Sequence, residues 1–152
     1  MRTIEQLLPE HPFFAELSPE TVALVAGCAR NAHYGAGEYL FHEDDPADAF
    51  YLIRSGRVVL QVRTPTNDVI LDATQEGDVI GWSWLVPPYR WTFDARATEE
   101  SSVLVFEATC LREKCQRDAR VGYELLTKVV QVMATRLHSA RVRLIDMYGN
   151  PG

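Results

Sequence analysis

The sequence lacks the features that mark membrane, metal-dependent and secreted scaffolds. It has 152 residues with only three cysteines and four histidines, and no apolar run approaches the roughly 18–20 residues of a membrane span. The N-terminus has no apolar core of the kind found in signal peptides. A chain this long buries enough surface to fold without disulfides or metals. These absences predict a cytoplasmic globular protein that does not contact a membrane.

The cysteines and histidines show no catalytic or metal-binding spacing. Cys28, Cys110 and Cys115 form no CxxC motif and no Cys/His set, so we expect buried small side chains or free thiols rather than a redox or iron–sulfur site. No histidine pair has the spacing of a metal-binding cupin, and haem binding through His138 has no support beyond its place on a helix. The sequence has no nucleophile elbow and no P-loop. It predicts neither a metal site nor an enzyme.

Charge is distributed unevenly along the chain. The net charge is −6, so the protein has no general attraction for nucleic acid. Residues 109–148 nevertheless carry eight Lys or Arg against four Asp or Glu. This basic segment is interpreted either as a solvated helix face or as a docking surface for a protein partner.

Turn residues divide the chain into a helical start (1–30), a β-rich middle (31–108) and a helical end (109–148), which we interpret as one domain. Ser18 and Pro19 predict the N-cap and first residue of a helix over 19–29. Gly56 marks a tight turn between two strands. Eight strands without intervening helices indicate a closed antiparallel barrel or jelly roll; they are predicted at 31–34, 39–42, 49–55, 57–62, 69–73, 78–80, 95–98 and 102–106.

Two helices are predicted after the strands, a short one over 111–118 and a long one from about residue 120, with a bend at Gly122. Apolar residues recur on the long helix at alternating steps of four and three, the spacing of a two-stranded coiled coil. The full stripe begins at Ala119 and Tyr123 and ends at Met147. Its central members, called the seam residues below, are Leu126, Val130, Met133, Leu137, Ala140 and Leu144.

The seam residues predict a parallel homodimer. A second stripe on the same helix is expected to pack on the barrel; it consists of Val121, Leu125, Val129 and Val132. The alternative is a helix that only covers its own barrel. Because the sequence ends shortly after this helix, no helix-turn-helix module is expected within these 152 residues.

Five motifs in order resemble the effector domain of the catabolite activator protein (Crp–Fnr) family, a cyclic nucleotide-binding domain. They are HPFFAELS, AGEYLFHEDDPAD, FYLIRSGRV, EGDVIG and VMATRL, at residues 11–18, 36–48, 50–58, 76–81 and 132–137. The resemblance implies a mainly β fold. It predicts an eight-strand antiparallel β-roll (double-stranded β-helix or jelly roll), flanked by N-terminal helices and a long C-terminal dimerisation helix.

The resemblance weakens at the ligand cassette. In relatives the cassette reads G-E-x-(A/G)-L, a loop, then R-(S/T)-A, with the Glu on the ribose hydroxyl and the Arg on the cyclic phosphate. Here Trp82 stands at the Glu position, Trp91 at the Arg position, and Arg90 lies one residue early. Arg90 is interpreted as a displaced phosphate ligand, a plain surface residue, or a partner for another anion. On the long helix, Ala140 and Arg141 replace hydroxyl residues of relatives.

All three tryptophans of the chain lie in this segment, residues 81–92, called the cassette segment below. Indole rings suit stacking against a planar ligand. They serve equally well to fill the pocket, and ordinary cyclic nucleotide binding remains a third interpretation. The candidate ligands are a cyclic nucleotide or another small planar or anionic molecule. The candidate ligand-binding residues are Gly81, Trp82, Ser83, Trp84, Leu85, Arg90, Trp91 and Thr92.

The sequence therefore predicts a stand-alone regulatory domain that senses a small molecule and has a degenerate phosphate-binding cassette. The alternative is a ligand-free dimeric scaffold or protein-docking module whose pocket is filled by its own tryptophans.

Overall fold

A computed structural model describes residues 2–149. The helices are α1 (Ile4–Leu7), α2 (Pro19–Ala26), α3 (Ala108–Arg117) and α4 (Ala119–Gly149), with short 3₁₀ turns at Leu8–Glu10 and Ser83–Leu85. The strands are β1 (Ala29–Tyr34), β2 (Tyr39–Phe41), β3 (Ala49–Ser55), β4 (Arg57–Arg63), β5 (Asp68–Gln75), β6 (Val79–Ile80), β7 (Asp94–Ala97) and β8 (Ser101–Glu107).

The strands form two four-stranded antiparallel sheets, ordered β1-β8-β3-β6 and β2-β7-β4-β5. The eight-strand antiparallel β-roll with flanking helices is therefore confirmed. All eight predicted strands occur, and their bounds agree with the prediction within two residues. Apolar side chains of both sheets meet in one core, and Phe14 of the N-terminal segment stacks on Phe106 of β8 with ring centroids 5.5 Å apart.

Gly56 makes the turn between β3 and β4. Its φ is +96°, and a Cβ atom would lie 2.2 Å from the Ser101 hydroxyl oxygen. Only glycine fits both the left-handed backbone and this close approach. Because β3 and β4 belong to different sheets, this turn carries the chain from one sheet to the other.

A carboxylate on α4 fastens the start of α2 to the long helix. Ser18 caps α2, because its Oγ accepts a hydrogen bond from the backbone N–H of Thr21 at 3.3 Å. Glu124 accepts from the backbone N–H of Ser18 at 2.9 Å and from the hydroxyl groups of Ser18 and Thr21. The negative charge also suits the positive end of the α2 dipole. The N-terminal helices are thus held to α4 as well as to the roll.

Replacing Glu124 with Gln should weaken this connection in a pH-dependent way. The Thr21 hydroxyl, then the Ser18 backbone N–H and hydroxyl, and Arg120 lower the pKa of Glu124 despite opposing desolvation. A lowered folded-state pKa gives stability above the ordinary carboxyl range, and that stability is lost as pH falls through the folded value. Glu124→Gln should cost about 1.5–3 kcal/mol at pH 7 by urea unfolding. The difference in the free energy of unfolding between this variant and wild type should shrink below about pH 4.5.

The control is Glu113→Gln, which changes an exposed carboxylate on α3. An equal loss of unfolding free energy in that variant would contradict the role assigned to Glu124.

The bend predicted at Gly122 is wrong, because the helices separate at Asp118. Asp118 is extended, with φ −135° and ψ 103°, and its side chain then accepts from the backbone N–H of Arg120. Gly122 lies inside α4, where a Cβ would approach the Cys115 carbonyl oxygen to 3.3 Å. Its role is close packing of α4 against α3. The predicted short helix also begins three residues earlier, at Ala108.

The expectation of buried or idle cysteines is wrong for two of the three. Cys28 and Cys110 form a disulfide across 82 residues of sequence, with Cα atoms 5.6 Å apart. Cys115 is a free, half-buried thiol. Sequence spacing gave no sign of the pair, because Cys28 follows α2 and Cys110 lies in α3, two segments that meet only in the folded chain.

The two apolar stripes of α4 have different surroundings. Leu125 and Val129 are buried in the hydrophobic core with Val132 half-buried beside them, and Val121 is buried as well. All six seam residues lie on the exposed side of the helix, with Leu137 53% exposed. The predicted packing of the second stripe on the barrel is seen at Val129 and Val132, which line one small cavity together with Phe50 of β3 and Val79 of β6. The seam leaves a long apolar strip uncovered in a single chain.

Candidate functional site: the cassette segment and its contacts with α4

The cassette segment connects β6 to β7 and begins at Gly81, whose φ is +104°. The structure places its residues in two groups. Gly81, Ser83, Trp84 and Trp91 are buried, and Trp82 and Leu85 are half-buried. Arg90 and Thr92 are exposed. The structure thus gathers the indole rings inward and leaves the one arginine of the segment at the surface.

Trp91 packs directly against Gly81. Its side chain is only 2% exposed and stacks on Phe41, with ring centroids 3.7 Å apart and planes 10° from parallel. A Cβ atom on Gly81 would lie 2.6 Å from the Trp91 ring. The ring nitrogen Nε1 has no hydrogen-bond partner among residues 2–149. The indole therefore fills the position that the resemblance gives to the phosphate-binding arginine.

Trp84 is the second buried indole of the cassette segment. It is fully buried, and its Nε1 donates a hydrogen bond to the Gly81 carbonyl at 3.2 Å. Its ring lies 5.9 Å from that of Phe50. Trp82 lies 6.1 Å from Phe93, between centroids, and keeps one edge accessible. Two of the three tryptophans are thus core residues, and Trp82 is the one that a ligand could still reach.

Arg90 is held by the loop between β2 and β3. Its Nη1 donates to the Asp44 carbonyl at 2.7 Å. The backbone N–H of Trp91 donates to the Asp45 carbonyl, and that of Asp44 to the Trp91 carbonyl. The backbone N–H of Ala47 also donates to the Tyr89 carbonyl at 2.7 Å, so four hydrogen bonds join the two loops. In this arrangement the guanidinium stabilises the loop pair.

A second arginine, Arg136 of α4, reaches the cassette segment and was missed by sequence reasoning. Its Nη2 donates to the carbonyl of Val79, two residues before Gly81, and its Nε lies 3.7 Å from an Asp72 oxygen. The side chain is 18% exposed, and burial lowers the pKa of the guanidinium. Its Nη1 finds no partner within the described residues. One feature of the sequence could have identified Arg136 as a contact residue: it lies four residues after Val132, on the stripe that packs against the roll.

Little space remains at the family site. A cavity of about 10 Å³ lies between the start of the segment and α4, lined among others by Trp82 and Arg136; it has room for roughly one water molecule. A groove of about 550 Å³ runs between α4 and the turn before β6, and Lys128 and Arg136 contribute to its α4 wall. That volume lies in the usual range for small-molecule sites. Arg136 borders both spaces.

Arg112 of α3 holds the other end of the segment. Its Nη1 donates to the Trp84 carbonyl at 2.7 Å, and its guanidinium lies 5.1 Å from the centre of the Tyr89 ring. The Pro87–Pro88 peptide bond in this loop is cis. Sequence reasoning gave no signal for Arg112, because its partner lies 28 residues away. An arginine of α3 thus binds the cassette segment itself, and an arginine of α4 binds the strand that leads into it.

Across residues 2–149 no group of three His, Cys, Asp or Glu side chains is arranged to hold a metal ion. No helix in the same range combines the length and apolar character that a membrane crossing requires. Ala140 and Arg141 are exposed on α4.

Residues 31–118 match the model of the cyclic nucleotide-binding domain family. The chain belongs to that family. The matched range covers the roll, the cassette segment and α3. It confirms the family resemblance drawn from the five sequence motifs.

The similar proteins are mainly regulators. A candidate cyclic nucleotide-binding protein from Geobacter metallireducens superposes with a TM-score of 0.80 at 28% identity, covering 91% of this chain and all of that one. The HTH-type transcriptional regulator Cmr of Mycobacterium tuberculosis is 23% identical over 90% of this chain and 54% of its own length. The CRP-like cAMP-activated global transcriptional regulator of the same organism is 23% identical over 95% and 63%. The chain therefore spans between half and two thirds of these two regulators, and none of these names denotes an enzyme.

Proposed function

We propose that this domain of the cyclic nucleotide-binding family is a regulatory module whose cassette does not take a cyclic nucleotide in the family's manner. The carrying observation is the buried Trp91 ring stacked on Phe41 and packed against Gly81. A bound phosphate needs a cation and hydrogen-bond donors to offset its desolvation. Trp91 offers no charge there, and the Arg90 guanidinium is hydrogen-bonded to the Asp44 carbonyl.

The module senses a small planar or anionic molecule at the surface formed by the cassette segment and α4. Two features support this proposal. Trp82 remains half-exposed, and Arg136 borders both the small cavity and the larger groove. Because Arg136 joins α4 to the Val79 carbonyl, a ligand that disturbs the cassette segment would act directly on the long helix.

The second candidate function is a ligand-free scaffold that docks another protein. The volume of only about 10 Å³ beside Gly81 favours it, since a closed pocket has no room for a ligand. A metabolite that changes the tryptophan fluorescence would decide for sensing, because every indole of the chain lies in the cassette segment.

The domain works as a homodimer through the seam residues of α4. The exposed apolar strip supports this proposal, because its four-and-three spacing is that of a two-stranded coiled coil and its leucines are largely uncovered. The module acts in the cytoplasm through a protein partner and has no enzymatic activity. Its net charge of −6 argues against DNA contact by these residues.

Thermal unfolding with millimolar cyclic AMP or cyclic GMP tests the closed cassette. A ligand at 100 times its Kd stabilises by about 2.7 kcal/mol, a shift of roughly 5–11 °C for a chain of this size. We expect no resolved shift here. The cAMP-activated relative from Mycobacterium tuberculosis serves as the positive control. A shift of several degrees that Arg90→Ala abolishes would contradict the proposal.

A further inference from the structure

The Cys28–Cys110 disulfide joins two segments on which the cassette segment depends. Cys28 lies between α2 and β1 and is 6% exposed, whereas Cys110 lies in the first turn of α3 and is partly exposed. The bond therefore ties α3 to the N-terminal helices. Cys110 is the more exposed of the two residues, so its sulfur is the expected point of attack for a reductant in solution.

Arg112 connects this bond to the cassette segment. It lies two residues after Cys110, donates to the Trp84 carbonyl at 2.7 Å and lies over the Tyr89 ring at 5.1 Å. α3 is consequently fixed by a covalent bond on one side and contacts the cassette segment on the other. A change in the position of α3 is passed to residues 84–89 through this side chain.

The far end of α3 leads into α4. The two helices separate at Asp118, and the backbone of Gly122 packs closely against Cys115 of α3. Whatever holds α3 in place therefore also sets where α4 begins. The disulfide, the cassette segment and the seam residues all depend on this one short helix.

We propose that Cys28 and Cys110 form a reversible redox site whose reduction by a protein or small-molecule dithiol loosens α3 and the cassette segment together. The inference rests on the regulatory role proposed above. In a reducing compartment disulfides are rare, and those that form are usually transient and either catalytic or redox-sensing. With the family pocket closed by Trp91, the thiol pair gives the domain an input other than a cyclic nucleotide.

The chemistry balances with the dithiol as the only co-reactant. A thiolate of the dithiol attacks the Cys110 sulfur, the Cys28–Cys110 bond breaks, and Cys28 leaves as a thiolate that takes a proton. The second thiol of the reductant then displaces Cys110. Two electrons and two protons pass to the protein, giving two cysteine thiols, and the reductant becomes a disulfide.

Cys115 is a suitable internal control. It is half-buried, and burial raises the pKa of its thiol, so the reactive thiolate is scarce at neutral pH. Cys115→Ser removes this thiol and leaves the proposed site intact.

Alkylation in denaturant followed by mass spectrometry first tests whether the bond exists. The full chain, purified in air without reductant, should show one alkylated cysteine, Cys115, and three after treatment with dithiothreitol. Three alkylated cysteines before reduction would overturn the proposal.

Hydrogen exchange then tests whether the bond controls the cassette segment. Reduction should speed exchange about tenfold in α3 and in residues 83–89, with a matching change in tryptophan fluorescence. The Cys28→Ser/Cys110→Ser variant should resemble the reduced protein and ignore dithiothreitol, and Cys115→Ser should respond as wild type does. In Arg112→Met, reduction should speed hydrogen exchange in α3 but not in residues 83–89.

A purely structural cross-link predicts a different result. Loss of an 82-residue link should lower Tm by roughly 5–15 °C in either case. If Tm falls while exchange in residues 83–89 stays unchanged, the proposal is overturned. If the double serine variant fails to fold, wild type reduced by dithiothreitol gives the same comparison. The thiol counts and the hydrogen exchange rates do not depend on whether the domain binds a cyclic nucleotide. Each proposal can therefore be contradicted without the other.

Discussion

Leu137→Asp should make the protein monomeric at micromolar concentrations where we expect the wild-type chain to be a dimer. Leu137 lies at the centre of the seam residues and is 53% exposed in the single chain. In a parallel pair the two aspartates would face each other in an apolar interface. An unpaired buried charge costs about 3–5 kcal/mol, so Kd should rise by about a thousandfold or more. Sedimentation velocity over a concentration series measures the change directly.

The matched control is His138→Asp, which places the same charge one residue along the same exposed helix. Position 138 lies off the stripe, so that variant should stay dimeric. Both variants must keep the wild-type circular dichroism spectrum. A wild-type chain that sediments as a monomer at micromolar concentration, or equal dissociation by both substitutions, would show that α4 does not pair through these residues.

Trp82→Glu combined with Trp91→Arg should create the cyclic nucleotide binding that we do not expect of the wild-type chain. The resemblance gives the Glu position to the ribose hydroxyl and the Arg position to the phosphate. Arg is smaller than Trp and supplies charge-assisted hydrogen bonds beside Gly81. We expect millimolar cyclic AMP to raise Tm by several degrees in the variant. Removing the buried Trp91 ring itself costs stability, about 3–5 kcal/mol for truncation to Ala, so the variant should start from a lower Tm.

A neutral variant of similar shape separates charge from volume. Trp82→Gln/Trp91→Met opens comparable space without the carboxylate or the guanidinium, and it should show no shift. Calorimetric titration at a temperature where circular dichroism reports a folded variant gives the affinity. If the charged variant folds but binds nothing, the two tryptophans are not what closes the cassette to cyclic nucleotides.

The roll was predictable because its signals are local. Alternating apolar residues and turn residues such as Gly56 mark each strand within a few positions, and all eight strands agree with the prediction. The two stripes of α4 were predictable for the same reason, since helix periodicity places Leu125 and Val129 on one face. The bend at Gly122 was predicted wrongly because a glycine within a helix can allow close packing instead of a change of direction.

The contacts of the cassette segment were not predictable in this way. Arg90 is the only arginine inside the segment, yet its guanidinium is hydrogen-bonded to a neighbouring loop. Arg112 of α3 donates to Trp84 inside the segment, and Arg136 of α4 donates to Val79 just before it, although both arginines lie outside the segment. Motif comparison assigns roles by position within a motif, whereas long side chains reach carbonyl groups from other elements.

The sequence alone determined the β-roll, the family, the two faces of the long helix and the presence of Trp82 and Trp91 in the cassette segment. Each of these features depends on the periodicity of a short segment or on the identity of a residue within a motif, and both can be found from neighbouring residues alone. Only the tertiary structure decided that Trp91 lies buried on Phe41, that Arg136 reaches Val79 and that Cys28 bonds to Cys110. These are contacts between segments far apart in sequence, and their partners are fixed only once the sheets and helices have packed.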